Sequence, residues 1–203
     1  MKLKILASTL VLTSCLMAAN EYREYNTPVN YNYGTIGVGQ ASIDGLDNKP
    51  WIINGGGEGM ITENIIYDVA YDGSIIDEDF FTVNSNNILL GLSYRFGLTD
   101  SLDIVAGADA VYNWTKTTSG NRDISDSDFG YMLKSSLRYG ITRNLEAIVG
   151  VSYLTLYDTS STAVSGNVTY YFNEYFGLGG SYGMTFDDNA DVSAYTGFIK
   201  YRF

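Results

Sequence analysis

Few residues in this 203-residue chain could do chemistry, and what is missing narrows the field. There is no histidine. That removes the side chain that most readily moves protons near neutral pH. The single cysteine, Cys15, lies in an apolar run near the start, so no second thiol exists for a disulfide or a thiolate metal site. Carboxylate chemistry remains. Glu58, Asp103, Asp109 and Glu146 are the acids from which an acid–base pair could be drawn. Arg95 is placed to meet the stretch carrying Asp103, and Arg138 the stretch carrying Glu146. The set therefore reads as ion-pair partners rather than as a catalytic dyad. Asp126-Ser127-Asp128 has calcium-loop spacing but lacks the Gly and closing Glu of an EF-hand. Gly177-Leu178-Gly179-Gly180 precedes no helix, so it is no phosphate cradle. The expectation is no enzyme, no cofactor and no metal.

The elements that must position these residues are strands. Ile88, Leu90, Leu92, Tyr94 and Phe96 share one face of an extended run, against Gly91, Ser93 and Arg95 on the other. Leu102, Ile104, Ala106, Ala108, Ala110, Tyr112 and Trp114 likewise oppose Asp103, Gly107, Asp109 and Asn113. Tyr131, Leu133, Leu137 and Tyr139 oppose Lys134, Ser136 and Arg138. Alternation with period two over seven or more residues predicts strands and fails as a helix. Ten such runs are predicted, at about 31–43, 50–61, 65–76, 85–97, 101–116, 128–141, 145–158, 163–173, 176–187 and 191–203. Gly55-Gly56-Gly57 weakens the second, and eight strands is the alternative.

A turn recurs between them. Phe96-Gly97-Leu98-Thr99-Asp100-Ser101-Leu102 resembles Tyr139-Gly140-Ile141-Thr142-Arg143-Asn144-Leu145. Gly59-Met60-Ile61-Thr62-Glu63-Asn64-Ile65 and Phe172-Asn173-Glu174-Tyr175-Phe176 are weaker copies. Asn, Ser, Asp and Gly suit tight turns. These short turns follow every second strand. The other connections are expected to be longer and acidic, at Asp77-Glu78-Asp79, from Thr117 to Asp128, and at Asp187-Asp188 with Asp191. Short turns at one end and long loops at the other describe an antiparallel up-and-down transmembrane β-barrel, with the short turns facing the periplasm.

The two faces support this over a secreted soluble sandwich. The apolar face carries aromatics near both strand ends. Tyr94, Phe96, Tyr139, Tyr170, Phe172, Phe176, Tyr201 and Phe203 lie toward the short turns. Trp51, Tyr112, Trp114, Tyr157 and Phe186 lie toward the loops. Two aromatic belts around an aliphatic band match the two membrane interfaces. The opposite face is rich in Gly and Ser and holds spaced charges of both signs. They are Glu58, Asp68, Arg95, Asp103, Asp109, Lys134, Arg138, Glu146, Lys200 and Arg202. A narrow lumen suits small residues plus charges that pair internally.

At the N-terminus, Lys2 and Lys4 precede an apolar run from Ile5 to Ala19, too short to span a bilayer. Residues 1–19 read as a cleaved secretory signal peptide, residues 20–30 as an N-terminal periplasmic segment and residues 31–203 as the barrel. Leu12-Thr13-Ser14-Cys15 resembles a lipobox, but the apolar run continues past it, so cleavage near Ala19 is preferred. Loss of Lys2 and Lys4 takes the formal charge from −11 to −13. That excludes nucleic acid as an electrostatic partner.

The chain resembles the small outer-membrane β-barrel proteins of Gram-negative bacteria, the OmpA/OmpX-like porin-family superfamily. The most specific carrier is Tyr195, Gly197, Ile199, Tyr201 and Phe203, similar to the C-terminal signature read by the barrel-assembly machinery. The resemblance implies an outer-membrane location with loops at the cell surface. Its partners would be outer-membrane lipid, lipopolysaccharide and the assembly machinery, and the protein would be a monomer. Its role would be structural or surface-interacting, with a small diffusion channel as the alternative.

Overall fold

The computed structural model describes residues 29–45, 48–186 and 191–203. The predicted signal peptide with Cys15, most of the 20–30 segment, and Asp187-Asp188 lie outside the described residues. The chain forms ten strands: β1 (Tyr33–Ile43), β2 (Trp51–Met60), β3 (Ile65–Glu78), β4 (Phe81–Gly97), β5 (Leu102–Ser119), β6 (Arg122–Thr142), β7 (Leu145–Leu156), β8 (Thr159–Tyr171), β9 (Phe176–Phe186) and β10 (Val192–Arg202). Each pairs antiparallel with its sequence neighbours. β1 closes on β10 from Tyr33 opposite Arg202 to Ile43 opposite Val192. Closure gives most backbone amides a partner within the wall, which an open sheet in lipid could not do.

The alternation of side chains decides which face is wet. On β4, Leu89 is 1% exposed and its neighbour Leu90 55%. Even-numbered residues of β4 and β5 face outward, and odd-numbered ones face the lumen.

The recurring threonine of the short turns has a specific task. Thr62 Oγ1 accepts from the amides of Asn64 and Ile65 (3.3 and 3.0 Å). Thr99 Oγ1 does the same for Ser101 and Leu102 (3.3 and 3.0 Å). Thr142 Oγ1 accepts from Asn144 (3.2 Å). Where the pattern degenerates, Asn173 Oδ1 takes over for Tyr175 and Phe176 (2.9 and 2.8 Å). In each copy the side-chain oxygen satisfies amides that the turn has removed from the ladder.

The opposite end corrects the sequence reading. The connections after β3, β5 and β7 are not long loops but two-residue turns. Strand pairing runs to the tips, with Glu78 opposite Phe81, Ser119 opposite Arg122 and Leu156 opposite Thr159. Gly120 adopts φ +59°, Tyr157 +53° and Asp158 +58°, values that match the twist of tight hairpins. The stretch from Thr117 to Asp128 lacks an apolar face because it stands clear of the barrel wall, yet its ladder with β5 keeps it extended. β6 pairs with β7 only as far as Tyr131 opposite Thr155. Its outer nine residues, Arg122 to Gly130, extend about 30 Å at the usual rise of a strand. Ser119 Oγ donates to the Phe80 carbonyl at 3.1 Å and ties the two tallest hairpins together.

Candidate functional site

The lumen-facing residues fill the barrel in layers. At the short-turn end, Arg95 forks onto Asp103, with Nε to Oδ2 at 2.7 Å and Nη2 to Oδ1 at 2.8 Å. Arg138 crosses the lumen from β6 to β2 and grips Glu58 with both terminal nitrogens at 2.5 Å. Glu146 receives Lys200 Nζ at 2.9 Å and the Tyr171 hydroxyl, with Arg202 Nη2 at 3.8 Å. Planar two-point contacts of this kind are the strong form of an ion pair. Two arginines and the Tyr31 ring form a stack. The guanidinium carbons lie 5.3 Å (Arg95) and 4.9 Å (Arg138) from its centroid. The Tyr31 hydroxyl donates to Asp103 Oδ2 at 2.7 Å. Lys200 Nζ sits 3.8 Å from the Tyr33 centroid, and Arg202 covers Tyr171.

Midway along the lumen, Lys134 Nζ bridges Asp68 (2.7 Å) and Asp109 (2.6 Å). The position opposite must be bare, because a Cβ on Gly91 would fall 1.8 Å from Asp109 Oδ1. Toward the hairpin end, Asn113 Nδ2 donates to Asn87 Oδ1 at 2.8 Å, and Tyr157 donates its hydroxyl to Asn113 Oδ1 at 2.6 Å. Apolar side chains gather toward the hairpin end. Ala41, Ile43, Ile52, Ile76, Val83, Val192 and Ala194 pack as one buried cluster. Leu89, Val111, Met132, Leu154 and Leu156 belong to a second.

All ten lumen charges named from sequence therefore face inward and are ion-paired. Their partners were only partly legible. Arg138 runs beside the strand of Glu146 but reaches Glu58, because Glu146 sits two steps nearer the rim, opposite Gly140. The lumen roles of Tyr31, Tyr33 and Tyr171, and the buried Asp72, were missed. Their signal was position parity: Tyr171 lies between outward Tyr170 and Phe172, and Asp72 shares the face of Asp68.

Among the aromatics, Trp51, Tyr94, Phe96, Tyr139, Tyr170, Phe172, Phe176, Phe186, Tyr201 and Phe203 are exposed. Tyr112 and Trp114 are half-covered by each other at 5.7 Å, and Phe129 lies 4.6 Å from Tyr112. Tyr157 is a correction. The positive φ of the β7–β8 turn breaks the alternation, so its ring packs on the inner apolar cluster instead of joining a belt. On β10, Tyr195, Gly197, Ile199 and Tyr201 face outward, and the Phe203 amide donates to the Asn32 carbonyl at 3.2 Å.

Outside the wall, Lys116 Nζ meets Asp123 Oδ2 at 2.7 Å and Thr118 donates to Asp123 Oδ1 at 2.8 Å. These hydrogen bonds hold the Asp123 carboxyl below the ordinary carboxylate range. Among the described residues no group of three His, Cys, Asp or Glu could hold a metal ion.

A cavity of about 110 Å³ remains in the lumen beside the ion pairs, with Lys134, Arg138 and Lys200 among its lining residues. Strands β6 to β10 line most of it, with Tyr33, Thr35, Asn54 and Val105 completing the wall.

A closed antiparallel barrel with outward aromatic belts and an ion-paired lumen defines an outer-membrane barrel protein. The chain belongs to the outer membrane protein beta-barrel domain family, whose pattern matches residues 6–172. An outer-membrane location follows from that membership. No curated protein matches in sequence. Among solved structures the chain is similar to Ail, the attachment invasion locus protein of Yersinia pestis, at 13% identity over 84% of this chain and 98% of that one, TM-score 0.42. It is similar to Neisserial surface protein A at 13% identity over 84% and 96%, TM-score 0.46. It is also similar to the N-terminal barrel domain of Pseudomonas aeruginosa OprF at 12% identity over 85% and 98%, TM-score 0.46.

Proposed function

We propose that this protein is a closed, non-enzymatic barrel that holds a rigid protein-binding wall outside the outer membrane. The observation carrying this reading is that the lumen is filled at two levels. The ion-pair and tyrosine layer occupies the short-turn end, and the apolar cluster around Ile52, Ile76 and Val83 occupies the other. Both narrow any through-path. Export by residues 1–19, and display of the hairpins at the cell surface, belong to the same reading.

The surface role is supported by the tall hairpins. Among the described residues, Arg122 to Phe129 have no strand pairing on the β7 side of β6, although the Asp128 side chain accepts from the Tyr157 amide there, so an open edge stands outside the wall. Asp123, Asp126 and Asp128 punctuate it, and Ile124 and Phe80 expose apolar surface at 67% and 85%. An edge of this kind can accept a strand from a partner, while its acids disfavour self-association. The second reading, a small solute pore, is favoured only by the lumen cavity. Proteoliposome swelling separates them. The closed barrel gives no swelling with small sugars beyond protein-free vesicles, and rapid swelling sinks it.

A further inference from the structure

We infer, resting on the protein-binding wall proposed above, that the open edge of β6 takes a basic extended segment of a partner protein as an added strand. The Gly140 amide donates at 2.8 Å to the carbonyl of Ser101, just ahead of β5. Amide direction alternates along a strand, so even-numbered amides of β6 face β5 and odd-numbered ones face away from it. Near the membrane β7 meets the odd-numbered row, as far as Tyr131 opposite Thr155. Beyond that point Asp123, Ser125 and Ser127 turn their backbone groups toward the open side. One of these amides has a stand-in, since Asp126 Oδ1 accepts from the Ser127 amide at 3.0 Å. At the foot of the edge Asp128 Oδ2 accepts from the Tyr157 amide at 2.5 Å. Side-chain carboxylates thus occupy donors that a ladder would use.

The side chains define which strand fits. Ile124, Asp126 and Asp128 share the face that continues the lumen side, and Phe129 on the other face is 77% exposed. Opposite Asp126 and Asp128 on β5 stand the uncharged Thr115 and Asn113. Asp158 is exposed in the turn beneath the edge, and Asp77, Glu78 and Asp79 crown the neighbouring hairpin. Against these acids the two hairpins hold Lys116, which meets Asp123, and Arg122 at the tip. A strand laid on the edge puts alternate residues beside Ile124, Asp126 and Asp128. Opposite charges pair favourably across strands and like charges do not. The fitting segment therefore carries lysine or arginine at two alternate positions and an apolar residue at a third. A second copy fits poorly, because two barrels in one membrane hold Asp123, Asp126 and Asp128 at equal heights and their acids would meet.

The test uses the full refolded barrel in dodecyl maltoside micelles, with backbone amide exchange followed by NMR. The probe is a synthetic peptide of alternating lysine and valine, as long as the stretch from Arg122 to Phe129. At saturation, exchange at Asp123, Ser125 and Ser127 should slow about tenfold or more. The same peptide with threonine in place of lysine should bind about tenfold more weakly. Asp126→Asn combined with Asp128→Asn should abolish that preference while keeping an acceptor for the Tyr157 amide, and heat-modifiable gel migration checks that the variant has folded. Equal binding of the two peptides, or a preference that survives in the folded variant, overturns the basic partner and leaves the wall standing. No protection with either peptide overturns the wall reading and the inference with it. Protection by a lysine peptide N-methylated along its backbone would assign the effect to charge alone. Protection that appears when the protein itself is concentrated would assign the edge to a second copy. Either result overturns the inference.

Discussion

Removing the positive charge of Arg138 should unfold this barrel more readily than removing the whole ion pair. Both partners are nearly inaccessible, with Arg138 at 5% and Glu58 at 2% exposure. Two contacts at 2.5 Å join them across the lumen. Arg138→Met leaves Glu58 as a buried carboxylate with its main partner gone. Losing one side of such a pair costs about 3–5 kcal/mol. Loss of the guanidinium from the Tyr31 ring adds roughly 0.5–2 kcal/mol. Glu58→Gln, by contrast, keeps shape and can still accept from Arg138, but strands the cation. The double variant Arg138→Met with Glu58→Met replaces two charges by apolar side chains and should lie within about 1–2 kcal/mol of the natural protein, apart from the lost cation–π contact. The assay is urea unfolding in lipid vesicles, read by tryptophan fluorescence and gel migration. A coupling energy of about 3 kcal/mol or more is expected from the cycle. If Arg138→Met and Glu58→Met each cost under 1 kcal/mol, or their effects simply add, the plug does not hold the barrel together and the reasoning fails.

Three further outcomes follow from the same contacts. Tyr31→Phe keeps the ring between the arginines and deletes the hydroxyl on Asp103, so unfolding in urea should shift by about 1–2 kcal/mol, against no measurable change if the segment before β1 is not seated. Asp123 should titrate below an ordinary aspartate by side-chain NMR, and Lys116→Ala should raise its midpoint. Because the folded value is the lower one, any support this pair gives the hairpin is present at neutral pH and is lost as pH falls through that value. Deleting Phe203 removes the terminal aromatic of the C-terminal pattern and should lower the fraction inserted in the outer membrane, measured by fractionation; full insertion would leave that pattern without a role in assembly.

The barrel was legible because lipid imposes a strict rule on one face of each strand. Leu90, Leu92, Tyr94 and Phe96 alternate with Gly91, Ser93 and Arg95, and the aromatics at the strand end favoured a lipid-facing wall over a soluble sandwich. The turn threonines were visible as a repeat, though their bonds to the next strand's amides were not. Three things were hidden. The hairpin from Thr117 to Asp128 carries no lipid face, so period two has no apolar signal there, and only its ladder with β5 reveals it as strand. The pairing of Arg138 with Glu58 joins residues 80 apart in sequence and exists only once β10 closes on β1. The apolar roof was masked by Ile52-Ile53 and Ile75-Ile76, where both faces of a strand are apolar and alternation cannot say which is inside.

A barrel closed as proposed should not conduct. Single-channel recording in planar bilayers tests it directly, with insertion verified on the same membranes by protease-resistant, heat-modifiable protein. A closed barrel gives a baseline without steady open states across about ±100 mV. A reproducible open level in the natural protein would contradict it, and the barrel would have to be read as a pore.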